Sequence, residues 1–338
     1  MMRKTLLAAF SLLAAAQMAI SNPADVAPGA TTAKSAQEPS EISGKLVVFY
    51  AGSLAVPIKE ISDAFMKEHP KVTVLLEAAG SRDCARKITE LNRPCDVLAS
   101  ADYIVIDELL IPEHADWNIK FASNEMAIVY QDSSRGSDRI SRDNWFEVLM
   151  EEGVRFGRSD PNADPCGYRA IMTMKLAEKH YKRPGLAEKM LKKDTQYVRP
   201  KGVDLLALLE THTIDYAFLY RSEAQQHGLK CLLLPDEVNL KKPELAGLYE
   251  TVSVEVTGKK PGEAAVEKGE PLVYGVTIPK SSPNPEAALA FVQFLLDKDK
   301  GMAIMEKSGQ PSVVPSPTTS YEKLPPSLRK YAASPPSR

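Results

Sequence analysis

From residue 45 onward, short apolar runs alternate with amphipathic ones. KLVVFYA (45–51) is apolar at all but its first position and predicts a buried strand. In GSLAVPIKEISDAFMKEHP, residues Leu54, Ile58, Ile61 and Phe65 fall on one helical face. That helix should stop at His69, because a residue preceding proline resists helix. KVTVLLEAAG (71–80) predicts a second strand, SRDCARKITELN (81–92) a second helix and CDVLASAD (95–102) a third strand. Strand and helix in strict alternation is the rhythm of a parallel α/β domain.

The rhythm resumes further on. ASNEMAIVYQD (122–132) predicts a strand, SRDNWFEVLMEEG (141–153) a helix, VRFGRSD (154–160) a strand and CGYRAIMTMKLAEKHY (166–181) a helix. GVDLLALLETH (202–212) predicts a helix, TIDYAFLYRSEAQQHG (213–228) a strand running into a helix, and LKCLLLP (229–235) a strand. Residues 252–280 hold two strands around a charged Gly/Pro loop, and 283–309 hold two helices that join near Asp297. There is no solenoid-type repeat, but the two halves share a plan.

The N-terminus follows a different pattern. MMRK is a short basic region and LLAAFSLLAAAQMAI an apolar one, as in a signal peptide, here over residues 1–22. The run is short for a membrane span of about 20 residues. Residues 23–44 are polar and rich in Pro, Ala, Ser and Thr, and read as a flexible linker. No cysteine lies near the end of the apolar run, so a lipid anchor on cysteine is not expected. The expectation is an exported, periplasmic protein with its signal peptide removed.

Composition narrows the options. The 338 residues carry a formal net charge of -2, and the basic residues form no stripe interleaved with aromatics, so no nucleic-acid partner is expected. Cys84, Cys95, Cys166 and Cys231 lack zinc spacing. If Cys84–Cys95 were continuous helix, at ~1.5 Å per residue its ends would lie ~16 Å apart, too far for a disulfide.

The candidate chemistry sits where strands end. Strands one and two both end in Ala-Gly-Ser (51–53 and 79–81) and enter helices. The strand at 154–158 ends in SDPNADPCGYR, again before a helix. In open α/β sheets ligands bind at these carboxyl edges. Helix starts there supply unpaired N–H groups and partial positive charge, and Ser53 and Ser81 add hydroxyls, so the pattern suits an anion held by neutral donors. The alternative is that each serine is a plain N-cap worth about 1 kcal/mol. Neither Gly-Ser has the lysine of a Walker motif. There is no G-x-S-x-G or H-E-x-x-H, and the five histidines follow no metal-ligand spacing. Cys166 at a helix start leaves open a thiol-dependent enzyme, although no base accompanies it.

Taken together, FYAGSL, AAGS, DVLASADY, DPCGYR, DYAFLYRSEAQQHGL, LLLPDEVNL and VYGVTIPK resemble the tungstate/molybdate-binding proteins of ABC importers, a group of type II periplasmic binding proteins. The resemblance runs from about residue 45 to 313. It implies two α/β lobes joined by two crossover strands, ASNEMAIVY and LVYGVTIPK. Lobe one would be 45–123 plus 271–338, and lobe two 124–270. It also implies a monomeric receptor rather than an enzyme, with no cofactor, which captures molybdate or tungstate and passes it to an ABC permease. Gly52 and Ser53 would form the first anion loop, Ser81 the second, and Asp164, Pro165 and Cys166 the third, with Tyr220 closing the site. Asp164 would be the candidate direct ligand to the Mo or W centre.

Members of that family carry a further glutamate just before a V-[DE]-L helix, where this chain reads RPKGVDLL with Gly202. A carboxylate facing an anion is repulsive. It makes sense if it accepts a proton from the ligand, as from hydrogen phosphate, or bonds an electrophilic metal centre. The expected order is therefore molybdate or tungstate, then phosphate, then sulfate.

Overall fold

The computed structural model describes residues 42–193, 195–258 and 262–334. The expected signal peptide, and linker residues 23–41, lie outside them. The first half contains β1 (Gly44–Ala51), α1 (Ala55–Glu68), β2 (Val72–Ala79), α2 (Ser81–Thr89), β3 (Val97–Ser100), α3 (Tyr103–Leu109) and β4 (Ile119–Ser123). The second contains β5 (Met126–Tyr130), α4 (Trp145–Met150), β6 (Phe156–Ser159), α5 (Pro165–His180), α6 (Leu186–Lys193), β7 (Val198–Arg199), α7 (Asp204–Glu210), β8 (Tyr216–Tyr220), α8 (Arg221–Gln226) and β9 (Lys230–Leu233). After them come α9 (Ala246–Tyr249), the hairpin β10 (Ser253–Thr257) and β11 (Ala264–Lys268), β12 (Val273–Thr277), α10 (Pro285–Leu296), α11 (Gly301–Lys307), β13 (Ser316–Pro317) and β14 (Ala332–Ala333).

Each lobe is built on a five-stranded sheet, ordered β2-β1-β3-β12-β4 in one and β7-β6-β8-β5-β9 in the other. The parallel rhythm expected over 45–102 holds, with β1 parallel to β2 and β3, but each sheet also takes in one reversed strand. β12 runs antiparallel to β3 and β4, and β5 antiparallel to β8 and β9. These are the two crossover strands, and each occupies the fourth place of its sheet. Their direction is reversed because the chain enters each sheet from the other lobe. The run at 122–132 is also two strands: the chain leaves the first sheet at Ser123 and enters the second at Met126. The two crossings lie side by side, with Asn124 N bonded to Leu272 O, Leu272 N to Leu240 O and Met126 N to Asn239 O.

The core follows from the apolar pattern. Ile58, Ile61 and Phe65 bury one face of α1. Phe65 meets Phe291 and Phe294 of α10 edge-on, at 5.2 and 5.6 Å between ring centroids, so the C-terminal helices pack on the first sheet's helical layer. α2 stops at Thr89, short of the expected 81–92, and Asn92 takes a left-handed φ of 50° that no helix continues through. Cys84 and Cys95 therefore fall in one small buried cluster, although both are free thiols.

Register sets the geometry of the carboxyl edges. Ala51 pairs with Ala79 and Tyr50 with Ala99, so β1, β2 and β3 end level and their helices start side by side. The corresponding edge of the second sheet faces them. Gly80 lies against Ala163, close enough that a Cβ on Gly80 would sit 2.2 Å from the Ala163 carbonyl oxygen. The hairpin β10–β11 pairs with neither sheet but spans both lobes: Arg82 of α2 forms a buried ion pair with Glu267 and donates to Thr257 O, while Lys175 of α5 donates to Ser253 O.

Removing one partner of a buried pair leaves the other charge uncompensated, at a cost of about 3–5 kcal/mol. Glu267→Ala should lower the unfolding free energy in urea by about that much. A loss too small to measure would mean that the strap is not closed in solution.

Candidate functional site

The two Ala-Gly-Ser turns do not use their serines as caps. The residue before α1 is Leu54 and the one before α2 is Gly80, and neither helix start has a side-chain cap. Ser81 Oγ instead accepts from Ala101 N at 2.9 Å, which leaves its O–H proton to donate elsewhere. Ser53 Oγ lies 3.2 Å from the Tyr274 hydroxyl. Both serines are buried at the edge that faces the second sheet. Gly52 has no room for a side chain bigger than hydrogen without pressing on Val203, 3.1 Å from where its Cβ would be.

α5 is built differently. Pro165 takes the first helical turn, where its missing N–H costs nothing, and Asp164 is the N-cap. Asp164 Oδ1 accepts from Cys166 N at 3.3 Å, and Oδ2 reaches across to Gly202 N at 2.8 Å. Burial pushes this carboxyl up to about 6, against the pull of the Gly202 and Cys166 amides and Arg169. Beside it, burial pushes Glu223 up to about 8, again against an amide, that of Tyr220, and with Asp164 adding to the rise. Glu223 Oε2 accepts from Tyr220 N at 3.1 Å, while Oε1 has no hydrogen-bond partner among the described residues.

Cys166 is buried, and its thiol donates to Phe218 O at 3.6 Å. Burial, with Asp164 and Glu223 nearby, raises it well above the ordinary thiol range. A buried, protonated thiol is a poor nucleophile. Tyr220 is also fully buried, and its hydroxyl accepts from Arg169 Nη1 at 3.0 Å. Arg169 donates to Ala101 O at 2.7 Å and pairs with Asp102 at 2.9 Å, and Asp102 also accepts from the Tyr168 hydroxyl. Since Ala101 and Asp102 follow β3 while Arg169 lies on α5, this cluster joins the two lobes.

The candidate residues thus gather in two linked groups. Ser53 touches Tyr274, whose ring lies 6.3 Å from that of Tyr220. Asp164, Pro165 and Cys166 sit together beside Gly202. Ser81 keeps company with Ala101 rather than with a carboxyl. Sequence reasoning missed Tyr274, Asn124, Gln310, Arg169 and Glu223. Tyr274 accepts from Asn124 at 2.9 Å and Gln310 at 3.3 Å, and Gln310 also donates to Ser53 O at 2.9 Å. A polar Asn-Glu pair between two apolar strand runs was the available signal for Asn124.

Two lobes with facing carboxyl edges, helix starts and buried polar side chains define a solute-binding protein. The chain belongs to the bacterial extracellular solute-binding proteins, whose family pattern matches residues 46–310. It is 48% identical over 292 residues to a solute-binding protein of Petrotoga mobilis, covering 86% of this chain and 91% of that one. It is 38% identical over 308 residues to the molybdate/tungstate-binding protein WtpA of Pyrococcus abyssi, covering 82% and 87%. The fold matches that of the periplasmic molybdate-binding protein of Azotobacter vinelandii with a TM-score of 0.58 at 17% identity, over 78% of this chain and 98% of that one.

The raised carboxyls give a pH dependence with a definite sign. Between its ordinary value of 4.5 and about 8, Glu223 keeps in the folded protein a proton that the unfolded chain has released. Asp164 does the same between 3.8 and about 6. This contribution is therefore fully present below the ordinary values and is lost as pH rises through the raised ones. The ligand-free protein should resist urea better at pH 5 than at pH 8, and Glu223→Gln should flatten that slope. An equally steep slope in the variant would contradict the assignment to Glu223.

Proposed function

We propose that this protein is an exported receptor that captures molybdate or tungstate between its lobes and presents it to an ABC permease. The observation that carries this reading is Asp164: a buried carboxyl at a helix start, on an edge that faces the hydroxyls of Ser53 and Ser81. Such a carboxyl disfavours sulfate, which neither brings a proton to share nor has a centre that accepts a carboxylate ligand. The WtpA relative, which covers most of the chain, supports the same ligand class.

In this reading Ser53 and Ser81 donate hydroxyls and Gly52 permits close approach of backbone. Asp164 meets the Mo or W centre, and the Tyr220 hydroxyl, already accepting from Arg169, donates its proton to a ligand oxygen. Cys166 and Pro165 shape the loop and take no part in covalent chemistry. The metal arrives as cargo within the oxyanion, and binding is hinge closure without turnover. The protein acts as a periplasmic monomer, and the permease recognises the closed form.

After unfolding and refolding to strip bound anion, calorimetric titration should show one-to-one binding of tungstate and molybdate and no heat from sulfate. Ser53→Ala and Ser81→Ala should each cost about 1.5–3 kcal/mol of binding, the worth of one lost hydrogen bond to a charged ligand. Preferential binding of phosphate would move the ligand class, and silence with all of these anions would refute the reading.

A further inference from the structure

We propose that Glu223 is a second carboxyl group of the oxyanion site, reaching from α8 to Gly202, where the lack of a side chain lets its Oε1 approach. This inference rests on the reading above and adds a residue to it. Glu223 is 1% exposed. Its Oε2 caps its own helix by accepting from Tyr220 N, which accounts for that oxygen but not for the other. A cap needs no burial, and a glutamate in the first helical turn serves equally well from the surface. Oε1 is buried without a hydrogen-bond partner among the described residues. An unsatisfied buried oxygen is costly, so the arrangement points to a group that is absent from the chain itself.

Its position says which group. A Cβ on Gly202 would lie 3.0 Å from Leu219 Cδ2, 3.4 Å from Glu223 Oε1 and 3.6 Å from Cys166 Sγ, so only glycine lets Glu223 Oε1 and Leu219 come this close, while the Gly202 amide holds Asp164 Oδ2 at 2.8 Å. Glu223 and Asp164 therefore both approach the same glycine. Tyr220, whose amide Glu223 holds, is the residue expected to close the site. A second carboxyl here sharpens the ligand requirement: the anion must share a proton with it or present a centre that accepts carboxylate oxygen. Tungstate and molybdate satisfy that requirement, and sulfate does not.

Glu223→Gln tests this, because glutamine keeps the volume and the acceptor for Tyr220 N but removes the acid. Tungstate affinity should fall at least tenfold, while the melting temperature of the ligand-free variant does not drop. A merely structural glutamate would lower stability and leave the affinity of the folded protein intact, and that result would overturn the inference. Should the variant not fold, Gly202→Ala reads the same space without touching the cap, and it should also weaken tungstate. Unchanged tungstate binding there would overturn the inference by itself. Tungstate binding to the wild type with no change in either variant sinks only this inference, whereas a wild type that binds no tungstate sinks the functional reading with it.

Discussion

One buried guanidinium fixes how the lobes face each other. Arg169 lies in the second turn of α5 and is 3% exposed, so its charge must be met within the protein. It is met by Asp102 and the Ala101 carbonyl just beyond β3 of the opposite lobe, and by the Tyr220 hydroxyl of its own. The helix that carries Asp164 at its start is thereby locked to the edge that carries the two Ala-Gly-Ser turns. The Arg82–Glu267 strap and the contact of Gly80 with Ala163 repeat the connection at the rim. The candidate residues lie beside these contacts, and Arg169 also orients the Tyr220 hydroxyl among them.

The electrostatics of that space are mixed. Serine hydroxyls favour an anion, but the unpaired helix-start amides expected from the sequence are engaged: those of Arg82 and Asp83 donate to Ala163 O, and that of Cys166 to Asp164. Asp164 and Glu223 oppose a simple one, and burial holds both above their ordinary range. A site designed for any dianion gains nothing from such carboxyls. Their presence is rational where the ligand bonds to oxygen or carries a proton, which ties the polarity of the site to the choice of ligand. The same burial raises the Cys166 thiol well above its ordinary range.

Much of this was legible in the sequence because apolar runs and Gly-Ser turns are local signals. KLVVFYA, the first Ala-Gly-Ser and the loop through Asp164 became strand, turn and helix start as their residues dictate. Strand direction was not legible, since an apolar run reads the same in a parallel or an antiparallel neighbour; the placement of β5 and β12 came only from resemblance. The serines were weighed as caps on local grounds, but the helix starts lack such caps and both hydroxyls turn to distant partners. Arg169 and Glu223 lay inside the quoted DPCGYR and DYAFLYRSEAQQHGL, but neither was given a role. Their roles depend on contacts with residues far away in the chain, which no periodicity encodes.

The most direct test is a crystal of the protein grown with tungstate, with the tungsten located by its anomalous scattering. The account predicts one strong peak enclosed by Ser53, Ser81, Asp164, Glu223 and Tyr220, with carboxyl oxygens nearest the metal. A peak outside the facing sheet edges, or one inside them with Asp164 and Glu223 both turned away, would contradict it.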